Sequence, residues 1–307
     1  MTQTDHHESE LAELLEEVRR IEAQSSRLVA GVMAGGYSSV FRGSGIEFDQ
    51  IREYVDGDDP RAVDWNVTAR AGRPFIKEHV EERERTLLFL LDLSASMTGG
   101  FGVWSARQTA ARVCACLALS AVQNDDRVGL IGFSNRVDKF VPARKGVRHQ
   151  LRILRDCLTL PGSSATTDMT PAIEFAARIV RRRSILFLVS DFLCDGWQQA
   201  LTLCARHHDV VAVRLSTPEL TPADDADLVR CRDPETGQDT IIDWGSRHVR
   251  AAWTDRVAEW QARTSADLRR AKVDLMDVAV PREPDHDAIA RPILRFFRLR
   301  ELRAAKR

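Results

Sequence analysis

Residues 86–96 read TLLFLLDLSAS. Five consecutive apolar residues, Leu87 to Leu91, show no alternation, so both faces of the segment call for burial. The run is far too short to cross a membrane. It is bounded by Asp92 and a small, hydroxyl-rich turn. A short apolar run closed by turn residues reads as a fully buried strand. The same reading applies to residues 127–133 (RVGLIGF), 184–190 (SILFLVS), 209–215 (DVVAVRL) and 273–280 (VDLMDVAV). Helical stretches separate them: an alanine-rich one over 104–123, and others near 150–158, 171–181, 197–205 and 246–271. Buried strands alternating with helices predict an α/β fold. Its core is a Rossmann-like, doubly wound, mostly parallel sheet covered on both faces.

Around this core the pattern changes. Leu11, Leu14, Leu15, Val18 and Ile21 recur at helical spacing, which predicts an amphipathic N-terminal helix within residues 1–30. Residues 31–84 mix short β-like pieces with Gly and Asp turns, a β-rich arm expected to pack on the main domain. That domain spans residues 85–284, with a hairpin insertion at about 228–243 around Pro234-Glu235-Thr236-Gly237. A basic helix over 285–307 ends the chain.

Composition narrows the function classes. The chain has 307 residues, 44 basic and 45 acidic, for a net charge of −1. That balance argues against whole-protein nucleic-acid binding. The charge is nevertheless segregated. Residues 1–20 and 49–64 each carry six acids against two arginines, and residues 291–307 carry seven basic residues against one acid. Such blocks favour protein–protein docking. The acidic N-terminus does not read as a secretory signal, and no apolar run is long enough to span a membrane. The six cysteines form no C-x-x-C pair, consistent with reduced thiols in a cytoplasmic protein.

In a doubly wound sheet, ligands bind beyond the carboxyl ends of the strands. The first strand is followed by Asp92, Ser94 and Ser96, and the third by Asp191. The loop near residue 165 supplies Thr167 and Asp168. Hydroxyls and carboxylates without His or Cys suit a hard divalent cation, Mg²⁺ or Mn²⁺. D-x-S-x-S, then a Thr, then an Asp resembles the metal-ion-dependent adhesion site of von Willebrand factor type A domains. The resemblance implies that Ser94, Ser96 and Thr167 coordinate the metal directly or through water. Asp92 and Asp191 then balance its charge, and one open position accepts a partner's acidic side chain.

The segment RGSGIEFDQIREYVDGDDPRAVDWNVTARAGRPFIKEHVEERE before DLSASM makes the chain similar to the bacterial domain of unknown function 58 family. That resemblance runs from about Arg20 to about Asp243. It implies a non-enzymatic adaptor acting with a MoxR-type AAA+ ATPase in chaperone-like or complex-maturation work, with other type A proteins as further partners. Asp49, Glu53, Asp59, Arg61, Asp64, Trp65 and Arg70 form the charged and aromatic centre of this segment. They are expected to be either an ion-pair network pinning the arm or a partner-docking surface.

Other chemistry fits less well. A haloacid-dehalogenase-like phosphotransferase, the main enzyme alternative, needs a second Asp where Ser94 stands and a lysine at a later strand end. The lysines stand only at 77, 139, 145, 272 and 306. A third reading is a scaffold with a vestigial metal site. G-x-S-x-G, H-E-x-x-H and P-loop motifs are absent. Gly99-Gly100-Phe101-Gly102 is expected to be a hinge beside the metal loop rather than a phosphate cradle. The basic tail reads as a terminal helix packed on the domain, with contact to an anionic membrane as the alternative.

Overall fold

The structure, a computed structural model, describes residues 19–20, 46–81, 85–162, 166–222, 226–283, 285 and 287–305. The predicted N-terminal helix lies outside them, except that Arg19 and Arg20 are helical. The arm comprises β1 (Ile46–Glu53), α1 (Trp65–Ala71) and β2 (Phe75–Glu81). Then follow β3 (Thr86–Asp92), α2 (Ala106–Gln123), β4 (Arg127–Phe133), β5 (Val137–Arg144), α3 (Val147–Thr159), α4 (Thr170–Ile179), β6 (Ile185–Ser190), α5 (Gln198–His207) and β7 (Asp209–Ser216). The chain continues through β8 (Leu228–Arg232), β9 (Asp239–Asp243), α6 (Arg247–Arg270), β10 (Asp274–Ala279) and α7 (Asp287–Ala305).

Six strands form one sheet in the order β10-β7-β6-β3-β4-β5. All neighbours are parallel except β4 and β5. Read from the β5 edge, the sheet's strands follow the doubly wound order third, second, first, fourth, fifth, sixth. The predicted Rossmann-like α/β core is therefore present. The antiparallel edge β5 was not anticipated. Its sequence VDKFVPAR alternates in burial and carries Pro142, a residue tolerated at a sheet edge.

Each central strand divides its side chains between two cores. Leu87, Phe89 and Leu91 face α2, α3 and α7, whereas Leu88 and Leu90 face α4 and α5. Phe89 and Phe187 stack across β3 and β6 with centroids 5.7 Å apart. The alanines of α2 let it lie close against the sheet, and Ser105 and Gln108 close its start in a reciprocal capping box.

The terminal helix α7 buries Ile289, Ile293, Phe296 and Phe297 in the same core as α2. Its arginines are not simply solvated. Arg300 pairs with Asp209 at 2.6 Å and Asp274 at 2.8 Å, the first residues of β7 and β10. The helix is thus latched to the sheet end opposite the strand-end loops. Among the described residues no helix is long and apolar enough to cross a membrane.

Candidate metal centre

The chain leaves β3, turns to β4 on one side, and later returns to β6 on the other. The carboxyl ends of β3 and β6 therefore flank the point where the winding reverses, which is where such folds bind ligands. Asp92 ends β3, and Asp191 follows β6 directly.

Asp92 is fully enclosed. Its Oδ1 accepts the Ser94 amide at 2.8 Å, and its Oδ2 accepts the Ser190 hydroxyl at 2.6 Å. The first bond folds the loop back, and a 3₁₀ turn over Ala95–Met97 continues it. That turn brings the Ser94 and Ser96 hydroxyls within 3.0 Å of each other. Met97, completely buried, anchors the turn from below.

Asp191 is 3% exposed. Its Oδ1 accepts the Leu193 amide at 3.0 Å, and the Ser96 hydroxyl also bonds to it. The next residue, Phe192, takes φ +60°, a left-handed conformation that costs a bulky residue about 1–3 kcal/mol. Packing holds it there. Phe192 is buried edge-on against Trp197 at 5.6 Å, and its carbonyl accepts Trp260 Nε1 from α6 at 3.2 Å. Such over-determined strain clusters at functional sites.

Thr167 belongs to the loop before α4. The Asp168 amide donates to Ser134 O at 3.0 Å, fastening this loop beyond the end of β4. Asp168 Oδ1 in turn accepts the Thr170 amide at 2.8 Å. The structure thus joins Asp92, Ser94, Ser96 and Asp191 directly. No hydrogen bond among the described residues ties Thr167 to these four; its partner is a residue not singled out as a site residue, Glu235 of the β8–β9 hairpin. Glu235 accepts both the Thr167 hydroxyl, in a short hydrogen bond, and the Thr167 amide at 3.3 Å. Ser190 is a second unforeseen member, visible in the sequence only as the last residue of a strand.

The electrostatics are one-sided. Burial, and then the charge of Asp191, raise Asp92 from the ordinary 3.8 to about 7. Burial likewise raises Asp191, with Glu235 adding to the effect. Cys194 nearby is pushed up to about 12, by burial first and then by Asp92, Asp191, Glu235 and Asp168. Its thiol therefore stays protonated at neutral pH and is no nucleophile. Among the described residues neither Asp92 nor Asp191 has an ion-pair partner. The buried Arg107 guanidinium attracts Asp92 without pairing with it, and a divalent cation would balance the remaining negative charge. No three His, Cys, Asp or Glu side chains among the described residues group closely enough to hold a metal alone. A cation held here would need the hydroxyls as well, and oxygen-only donors would suit Mg²⁺ or Mn²⁺.

The glycine loop beside the site makes two close approaches to neighbouring segments. The Phe101 amide donates to the Glu219 carboxylate. A Cβ on Gly102 would come within 2.7 Å of the Pro281 carbonyl.

The arm residues do not join into one network. Asp64 caps α1, accepting the Asn66 amide at 3.0 Å and the Val67 amide at 3.3 Å, and Asp59 accepts the Arg61 amide at 2.9 Å. Glu53 pairs with Arg73 at 2.6 Å. Asp49 falls at the register shift in the β1–β2 ladder. Trp65 is 73% exposed. Arg61 and Arg70 are exposed and form no ion pair among the described residues. Arg61→Ala is therefore expected to change unfolding free energy by less than about 0.5 kcal/mol in a urea melt. A larger loss would mean that Arg61 helps pin the arm.

Over residues 50–263 the chain matches the family model described as "Protein of unknown function DUF58". The chain belongs to this family. Among DUF58 relatives, "Uncharacterized protein Rv1480" of Mycobacterium tuberculosis is 30% identical over 223 residues, covering 72% of this chain and 70% of the relative. "Uncharacterized protein MAV169" of Mycobacterium avium is 31% identical over 165 residues, covering 52% and 93%. Among solved structures, BatB from Bacteroides thetaiotaomicron aligns with a TM-score of 0.42 and 17% identity, covering 69% of this chain and 98% of BatB. The VWA domain of SpRpn10 aligns with a TM-score of 0.38 and 11% identity, covering 68% and 93%.

Proposed function

We propose that this DUF58 protein is a non-enzymatic interaction module that binds an acidic side chain of a partner through a divalent cation. Ser94, Ser96 and Thr167 would hold Mg²⁺ or Mn²⁺, with Asp92 and Asp191 balancing its charge. One observation carries the reading. Two buried carboxylates, neither in an ion pair among the described residues, stand among hydroxyls at the winding reversal of the sheet. Bound there, the cation would offer an electrophilic position to a carboxylate oxygen, a strong charge-assisted contact.

The protein's own residues supply rigidity. Asp92 fixes the Ser94 turn through its amide, and Ser190 holds the other oxygen of Asp92 in place. The strained Phe192, locked by Trp197 and Trp260, fixes Asp191. With Cys194 protonated and the carboxylates of Asp92, Asp191, Glu235 and Asp168 around it, the site favours holding a cation over attacking a substrate. The family resemblance supports action with a MoxR-type AAA+ ATPase in chaperone-like or complex-maturation work, and the six free cysteines support a cytoplasmic setting.

Affinity purification from the native host tests the partnership. Wild type with Mg²⁺ is expected to recover an AAA+ ATPase, and Asp191→Ala or Mg²⁺ removal to lose it. Recovery of no such ATPase in any condition overturns the partnership. Turnover of a phosphoester panel by the Mg²⁺-loaded protein would overturn the non-enzymatic reading.

A further inference from the structure

The side of the site facing Thr167 is closed by the chain's own hairpin. Strands β8 and β9 form a separate two-stranded ribbon whose Leu228 and Ile241 are each 70% exposed. Its turn is wired to itself. Asp233 Oδ1 accepts the Glu235 amide at 2.9 Å and the Thr236 amide at 3.3 Å, and Oδ2 accepts the Thr236 hydroxyl at 2.7 Å. The Gly237 amide closes on Asp233 O at 2.8 Å, and Gly237 takes φ +71°, which favours glycine. Residues 232–234 and 236–240 are exposed, whereas Glu235 is half-buried. Its carboxylate grips Thr167 with both oxygens from 68 residues away.

That placement is costly without a cation. It brings the Glu235 carboxylate onto Thr167, on the side of the site where its charge also acts on Asp191. In exchange Glu235 gains two hydrogen bonds from Thr167. A divalent ion beside Thr167 would turn the repulsion into attraction. A glutamate carboxylate is also the group that a partner would offer.

We propose that Glu235 is a tethered ligand of this centre. It takes the coordination position that a partner's acid would need, so the hairpin must lift before a partner can bind. The proposal rests on the cation reading above.

The test uses the full chain and Mn²⁺ as the probe, with Glu235→Gln and Ser94→Ala as variants. Mn²⁺ affinity, followed by electron paramagnetic resonance, is expected to fall ~10-fold in Glu235→Gln as one ligand is lost. Acetate is then added at fixed Mn²⁺. Its methyl protons should relax faster with Mn²⁺-loaded Glu235→Gln and stay nearly unaffected with loaded wild type. Amide exchange across residues 229–242 should slow on adding Mn²⁺ to wild type, and not to Glu235→Gln. Equal Mn²⁺ binding and equal acetate access in wild type and Glu235→Gln, with binding lost in Ser94→Ala, would overturn the role of Glu235 and leave the cation site standing. Absence of Mn²⁺ binding in wild type would overturn both.

Discussion

Asp191→Asn is expected to weaken Mg²⁺ binding by roughly 100-fold while leaving the metal-free protein folded. The two halves of this result have separate causes. Asn keeps the size of Asp, so its Oδ1 can still accept the Leu193 amide, and its Nδ2 can donate to the Ser96 hydroxyl. The loop held by Phe192 and Trp260 therefore keeps its shape. What disappears is one negative charge in a site where the charges of Asp92, Glu235 and Asp168 also converge. The metal-free variant should melt at or above the wild-type temperature at pH 8. Titration calorimetry and thermal melts in EDTA give both readouts. Retained affinity within threefold of wild type would remove Asp191 from the site.

The metal-free protein should lose stability as pH rises from 5 to 8, and Mg²⁺ should restore it. Asp92 is raised from 3.8 to about 7, chiefly by burial and next by Asp191. The folded state therefore prefers the protonated acid. The stabilisation is complete below about pH 4 and is lost as pH climbs through 7. A shift of that size corresponds to about 4 kcal/mol. Asp191, raised by its own burial, acts in the same direction. Asp58 and Asp239 are held down at about 2 by Arg52 and Arg232, so their effect falls at lower pH, whereas His208, lowered chiefly by burial, opposes the trend below about pH 6.5 without matching the two carboxylates. Melts at pH 5, 6.5 and 8, in EDTA and in Mg²⁺, read the effect directly. The same series in Asp191→Asn should be flatter. A metal-free melting temperature that rises across this range would contradict the account.

The candidate centre was legible because its parts are local. Each candidate residue lies one to five residues beyond an apolar run or in one short loop, so finding the strands found Asp92, Ser94, Ser96 and Asp191. The sheet itself was legible for the same reason, since TLLFLLD and SILFLVS admit little besides burial on both faces. β5 was missed because an edge strand is half-exposed and shows alternation rather than an apolar run. Glu235 was missed for a different reason. Its sequence announces a turn, but nothing in Pro234-Glu235-Thr236-Gly237 states where the tip of an inserted hairpin lands. Only the three-dimensional path brings it to Thr167. The arm residues were grouped by proximity in sequence, whereas the fold assigns Asp59 and Asp64 to local caps and Glu53 to an ion pair with Arg73.

The most direct measurement is an anomalous-difference map from crystals of the full chain grown with Mn²⁺. The account predicts one strong peak among the oxygens of Ser94, Ser96 and Thr167, beside Asp92 and Asp191, and no peak there in Ser94→Ala. Crystals grown in excess Mn²⁺ with no density at this position would contradict it.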